Sequence, residues 1–172
     1  LGGAVAGIIV GMLYVTKKRK YVDLRFAVDA CVPTILLAQA IGRWGNFFNH
    51  EVYGAEVSMS SLPFLPTWLR FQMATGFLNG LPSGNTMYVP LFLIEGIANI
   101  LGYFVIAKLI PALWTEQRGR AKGDMLGFYL IWYGVVRIIM EPLRNSEFNM
   151  GTNGMWSVWN SLIYIILGAL LL

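Results

Sequence analysis

YVPLFLIEGIANILGYFVIAKLIPALW, residues 88–114, carries two charged side chains, Glu95 and Lys108, in a run otherwise dominated by aliphatic and aromatic residues. A helix rises about 1.5 Å per residue, so the stretch is long enough to cross the ~30 Å hydrocarbon core of a bilayer. Four further apolar runs, at roughly 1–16, 24–42, 125–142 and 155–172, read the same way. The whole chain agrees: hydrophobic residues make up 56% and charged residues 13%, with a mean hydropathy of +0.59. A soluble domain has roughly 45–50% and about 25%. The expected fold is an all-α integral membrane protein with about five transmembrane helices, forming a single polytopic membrane domain over 1–172.

Charge fixes the expected orientation. Lys17, Lys18, Arg19 and Lys20 follow the first run, and Lys108, Arg118, Arg120 and Lys122 surround the end of the third. The positive-inside rule places both groups in the cytoplasm. The net charge of +4 is thus clustered by topology, which argues against a nucleic-acid partner. The connections 43–87 and 143–154 then face outward. Within 43–87, SLPFLPTWLRFQM (61–73) places Trp68, Leu69 and Phe71 among polar residues and prolines, as a short interfacial element would. GLPSGNT (80–86) reads as a turn-rich connection into Pro90. The opening LGGAVAGIIVGMLYVT lacks a basic n-region and a cleavage site, so it does not read as a secretory signal peptide. With Leu rather than Met at position 1, the beginning is expected to be missing.

Polar residues within spans need partners or tasks, because a charge at the centre of a bilayer costs at least ~2.5–3.5 kcal/mol. In FYLIWYGVVRIIMEPLRNSE (128–147), Tyr133, Arg137 and Glu141 recur every four residues and form one helical stripe. Arg144 follows just past Pro142. In GRWGNFFNHEVYG (42–54), Arg43, Asn46 and Asn49 would share a face if the second span continued through them. Arg137 and Glu141 could be a buried structural pair. Alternatively, two arginine-bearing clusters on one side of the membrane could hold an anion, for which arginine's planar donor fork suits phosphate. The physics points to a phospholipid headgroup.

Other features weigh less. His50 is the only histidine, which speaks against a zinc site and leaves it as a surface residue or a lone base. Cys31 cannot form an internal disulfide and reads as a small buried residue. Gly3, Gly7 and Gly11 have the spacing of a close helix contact. Ser58, Ser60 and Ser61 show no nucleophile elbow. Glu95 is expected to bond to a neighbouring helix or, less simply, to serve the site. No metal and no organic cofactor is implied.

Gly42, Arg43, Gly45, Asn46, Phe47, Asn49, Glu51 and Gly54 resemble the G-R-x-G-N-F-x-N-x-E-x-x-G signature of bacterial phosphatidylglycerol–prolipoprotein diacylglyceryl transferases. Tyr133, Gly134, Arg137, Glu141 and Arg144 resemble the same family's late-helix pattern Y-G-x-x-R-x-x-x-E-x-x-R. Pro90 to Glu95 is similar to its P-x-x-L-Y-E segment, with Ile94 at the tyrosine position and Val89 where histidine is frequent. The resemblance implies a seven-span protein whose third span contains the start of this chain. It implies transfer of diacylglyceryl from phosphatidylglycerol to the lipobox cysteine of a prolipoprotein signal peptide, releasing glycerol phosphate, at the outer side of the bacterial plasma (inner) membrane. Arg43 and Arg137 would then bind phosphate, Asn46 and Asn49 orient oxygens, and Glu51 and Glu141 hold the arginines. Tyr133 would contact the headgroup or carry a proton, Arg144 would add a substrate contact, and Gly45 and Gly54 would permit tight turns. An anionic-lipid or solute transporter and a non-catalytic membrane scaffold are the readings from other classes; a transporter should show paired halves, and no internal repeat is visible.

Overall fold

A computed structural model describes residues 2–18, 21, 23–78, 80–114, 121–144 and 155–172, with the side chains of 2–5, 8 and 12 excepted. Each of the five apolar runs is helical. Helix α1 is Gly2–Lys17 and α2 is Leu24–Phe48. Helix α4 (Leu91–Phe104) passes through a widened turn, Val105–Leu109, into α5 (Ile110–Leu113). Helix α6 is Asp124–Met140 and α7 is Met155–Leu171. Among the described residues three stretches, Leu24–Phe48, Leu91–Leu113 and Asp124–Leu143, are long and apolar enough to cross a membrane; α7 is apolar but shorter. The widened turn has a local reason. In a regular helix the Pro111 ring would collide with the carbonyl of Ala107 and leave it without a donor.

The helices pack as a bundle with α2 against α4 and α6, and α7 along α6. Side chains such as Phe26, Ile41, Ile97, Leu101, Ile139 and Ile166 point outward, a surface suited to hydrocarbon rather than to water. Helices α6 and α7 approach closely at two glycines: a Cβ on Gly127 would lie 2.9 Å from the carbonyl oxygen of Gly168, and one on Gly168 would lie 2.6 Å from that of Gly127. The small-residue contact expected on α1 is not formed, since nothing lies within 4 Å of a Cβ built on Gly7 or Gly11 among the described residues. Small residues bring helices together only where a second helix faces them, and here that pair is α6 and α7.

At the end of the bundle that carries the two basic loops, backbone groups are tied by carboxylates. Asp29 accepts from the Gly123 N–H at 3.0 Å and the Met125 N–H at 3.2 Å. Asp124 accepts from the Ala121 N–H at 2.8 Å. Gly123 has φ +107°, which only glycine adopts cheaply. These bonds satisfy donors at the start of α6 that have no intrahelical acceptor.

The opposite end differs from the expected loop over 43–87. Helix α2 continues past 42 to Phe48, so the first half of the signature is helical. Beyond it, β1 (Glu56–Ser58) pairs antiparallel with β4 (Thr86–Tyr88), and β2 (Phe77–Leu78) with β3 (Leu81–Pro82). A short helix, α3 (Thr67–Gln72), lies between the ribbons in sequence. Its Leu69 is buried while Trp68 and Phe71 face outward, the amphipathic character read from the sequence. Phe47, Leu65, Leu69, Met73, Met87 and Phe92 form the core that fastens this cap to α2 and α4.

Candidate functional site

The signature helix ends with a backbone exchange. The Asn49 N–H bonds to the Gly45 carbonyl at 2.9 Å, and the Glu51 N–H to that of Asn46 at 2.9 Å. His50 takes a left-handed conformation just beyond the helix, at φ 53°, and Val52 another at 54°. Such angles are uncommon for non-glycine residues and costly for a β-branched one. The turn is therefore made by His50 and Val52, not by Gly45, which sits inside α2 with open space around it. Gly54 is different. A Cβ there would lie 2.7 Å from the Val89 Cβ and 2.8 Å from the Leu143 carbonyl oxygen. Its N–H bonds to the Val89 carbonyl at 3.0 Å, and the Ala55 N–H to that of Leu143 at 3.1 Å. Gly54 also forms a β-bridge with Arg144. A residue without a side chain thus draws the segment after α6 and the approach to α4 onto the end of the signature.

That crossing assembles an ionic cluster. Arg43 Nε lies 2.5 Å from Glu95 Oε2, and Arg144 Nη2 lies 3.5 Å from Glu95 Oε1. The Glu95 side chain is 3% exposed and that of Arg144 7%. One carboxylate on α4 therefore ties α2 to the segment following α6. Glu95 does reach a neighbouring helix, and it stands where Glu51 was expected to hold Arg43. Glu51 is exposed and lines the adjoining pocket. Among the described residues no ion pair joins Glu51 to Arg43; Glu51 lies beyond the end of α2, after the left-handed His50.

The second cluster lies on α6 and α7. Arg137 Nη2 is 3.7 Å from Glu141 Oε2, too far for a good hydrogen bond. Ser157 stands between them: its Oγ accepts from Arg137 Nη2 at 3.1 Å and donates to Glu141 Oε2 at 2.8 Å. Nothing in the sequence singles out Ser157, because a serine in an apolar helix most often bonds to its own backbone. Its neighbour one turn on, Ser161, does so, donating to the Ser157 carbonyl at 2.7 Å. Tyr133 is half-buried on α6, with its ring near those of Tyr129 and Tyr164.

Together Arg43, Arg137 and Arg144 bring three positive charges against the two of Glu95 and Glu141. Burial, and next the charge of Arg137, push the Arg144 guanidinium below its ordinary value, with Glu95 and Glu141 acting in the opposite sense. Among the described residues several buried polar atoms make no hydrogen bond in this arrangement: Arg144 Nε and Nη2, Glu95 Oε1 and Glu141 Oε1. A buried guanidinium with unsatisfied donors and a surplus of positive charge nearby is a receptive place for an anion.

Asn46 and Glu51 belong to a neighbouring pocket of about 270 Å³, which His50, Tyr53, Gln72 and Tyr88 also line. Asn49 caps α2 through its backbone, and its side chain is exposed. The structure therefore spreads the sequence candidates over two adjoining places, with Arg43, Arg137, Glu141 and Arg144 in the ionic cluster and Asn46 and Glu51 in the pocket. Gly54 is buried at the crossing that joins them. Among the described residues no group of three His, Cys, Asp or Glu side chains could hold a metal ion.

A family model described as prolipoprotein diacylglyceryl transferase matches residues 1–172. A phosphatidylglycerol–prolipoprotein diacylglyceryl transferase of Mycoplasmopsis pulmonis is 41% identical over 86% of this chain and 45% of its own length. Relatives of the same name from Streptococcus sanguinis and Lactococcus lactis are 38% and 35% identical over 97% and 99% of this chain, and 58% and 60% of theirs. The chain spans about half the length of the curated relatives it matches. No solved structure matches it. The chain belongs to the prolipoprotein diacylglyceryl transferase family.

Proposed function

We propose that this member of the prolipoprotein diacylglyceryl transferase family transfers the diacylglyceryl group of phosphatidylglycerol to the lipobox cysteine thiol of a prolipoprotein signal peptide, near the outer face of the bacterial cytoplasmic membrane. The observation that carries the reading is the positively charged cluster at the signature end, in which the buried Arg144 guanidinium, ion-paired to Glu95, has donors that make no hydrogen bond among the described residues and lies beside Arg43 and Arg137. The family membership supplies the reaction, and the cluster supplies what that reaction needs.

In the proposed step the cysteine sulfur attacks the glycerol carbon that carries the phosphate ester. A C–S bond forms as the C–O bond breaks, and the leaving oxygen keeps the electron pair. The thiol proton passes to the aqueous side. Negative charge grows on the departing glycerol phosphate, so donors fixed in advance around that phosphate stabilise the transition state more than the bound lipid. Arg43 and Arg137 take this role, with Arg144 as a third contact. Glu95 and Glu141 hold the arginines, while Asn46 and Glu51 line the approach used by the glycerol headgroup or the peptide and Asn49 stands exposed at the end of α2. Tyr133 lies deeper and meets the headgroup from below. The nucleophile arrives with the substrate, so the protein's own contribution is position and charge.

The test uses the intact protein in liposomes containing phosphatidylglycerol and a lipobox peptide. Mass spectrometry should show diacylglyceryl added to the peptide cysteine, with an equal amount of glycerol phosphate released. Both should vanish in Arg43→Ala and Arg137→Ala proteins that remain folded. An unmodified cysteine with the wild-type protein would overturn the reading.

A further inference from the structure

We infer that Ser157 is a positioning residue for phosphate binding: its hydroxyl stands between Arg137 and Glu141 and keeps the glutamate from closing onto the guanidinium. The inference rests on the reading of Arg137 as a phosphate ligand. Arg137 and Glu141 are four residues apart on one helix, the spacing at which such a pair ordinarily meets. Here the direct approach stops at 3.7 Å. The serine takes the place of that contact, at 3.1 Å from the arginine and 2.8 Å from the carboxylate.

A hydroxyl has one proton to give and lone pairs to receive. Ser157 gives its proton to Glu141 and accepts from Arg137, so it satisfies one oxygen of the carboxylate while engaging the guanidinium through Nη2 alone. Every contact that the described residues give Arg137 runs through that nitrogen. The remaining edge of the fork is outside the clasp. Without the hydroxyl, Glu141 would have two buried oxygens to satisfy, since Oε1 already makes no hydrogen bond. The adjacent guanidinium would be the nearest donor. A carboxylate and an arginine that meet two-on-two use up the geometry by which arginine recognises phosphate.

A purely structural role as α6–α7 glue explains less. The helix pair is already drawn together where Gly127 meets Gly168 and Gly134 meets Ser161. Ser161 has the same burial and the same chemistry one turn along, yet its hydroxyl returns to its own helix. Of these two serines, Ser157 is the one that bridges two charged side chains.

The experiment compares Ser157→Ala, Ser157→Thr and Ser161→Ala in the intact protein. Equilibrium binding of phosphatidylglycerol in detergent is measured alongside KM, kcat and the unfolding temperature. Ser157→Ala should weaken lipid binding and raise KM roughly ten- to a hundredfold, the range for losing one hydrogen bond to a charged group. Ser157→Thr, which keeps the hydroxyl, should recover most of the affinity, and Ser161→Ala should lower only the unfolding temperature. Wild-type affinity in Ser157→Ala, or an equal loss in Ser161→Ala, would sink the inference. Binding is read independently of turnover, so a wild-type protein that fails to transfer while Ser157→Ala still weakens lipid binding would count against the proposed reaction and not against the serine.

Discussion

The two ends of this bundle treat buried charge in opposite ways. At the basic-loop end, Asp29 and Asp124 accept backbone N–H groups at the start of α6, and each carboxylate is used to finish a helix. At the signature end, three arginines meet two glutamates, and buried atoms of Arg144, Glu95 and Glu141 are left without hydrogen bonds. The first arrangement is complete as a piece of architecture. The second holds charges in place while leaving part of their bonding capacity unused, which is what a binding site requires and what a structural clasp avoids.

The contrast can be broken most forcefully at Glu95. Glu95→Ala leaves the buried Arg144 side chain and the half-buried Arg43 without their shared counter-charge, and should cost about 3–5 kcal/mol of stability, read from thermal unfolding in detergent. A protein as stable as wild type would mean that the cluster does not hold the signature end together. Arg137→Lys comes next. It keeps the charge but loses the planar fork, and transfer should fall by roughly 10²–10³ with little change in unfolding temperature; retention of most activity would reduce the site to a simple positive field. At the other end, Asp29→Ala should lower stability by about 1.5–3 kcal/mol while leaving KM for the lipid unchanged. A raised KM would show that the two ends are not separable. The smallest effects contrast two glycines of one motif. Gly45→Ala, in open space inside α2, should stabilise by roughly 0.5–1 kcal/mol, whereas Gly54→Ala must push apart Val89 and the Leu143 carbonyl and should destabilise. Equal effects at the two positions would contradict the packing described.

Much of the helical layout was legible because it depends on local properties. Run length and hydrophobicity located the five apolar helical stretches, and the spacing of Tyr133, Arg137 and Glu141 placed them on one stripe along α6 and its C-terminal end. Partners across elements were harder to read. Arg43 and Glu51 are close in the chain, yet among the described residues Arg43 forms its ion pair with Glu95 from another helix. Glu95 was recognisable as a charge in need of a neighbour, but nothing in its spacing named two arginines from different segments. Ser157 carried even less signal, since its significance comes entirely from where α7 sits beside α6. The short ribbons between α2 and α4 escaped notice for another reason: strands of two or three residues have no alternation long enough to detect.

The clasp between Arg43 and Glu95 also bears on how the protein is made. Helix α2 precedes α4 in the chain, so during synthesis Arg43 reaches the membrane before its partner exists. Arg43 and Glu95, inserted singly, would each face the cost of bringing a charge toward hydrocarbon, at least ~2.5–3.5 kcal/mol at the centre of a span. Entering together, they neutralise one another. On these physical grounds the ion pair would favour entry of α2 and α4 as one hairpin, with the β-ribbons between them kept out of the hydrocarbon, and would couple delivery into the bilayer to assembly of the arginine site.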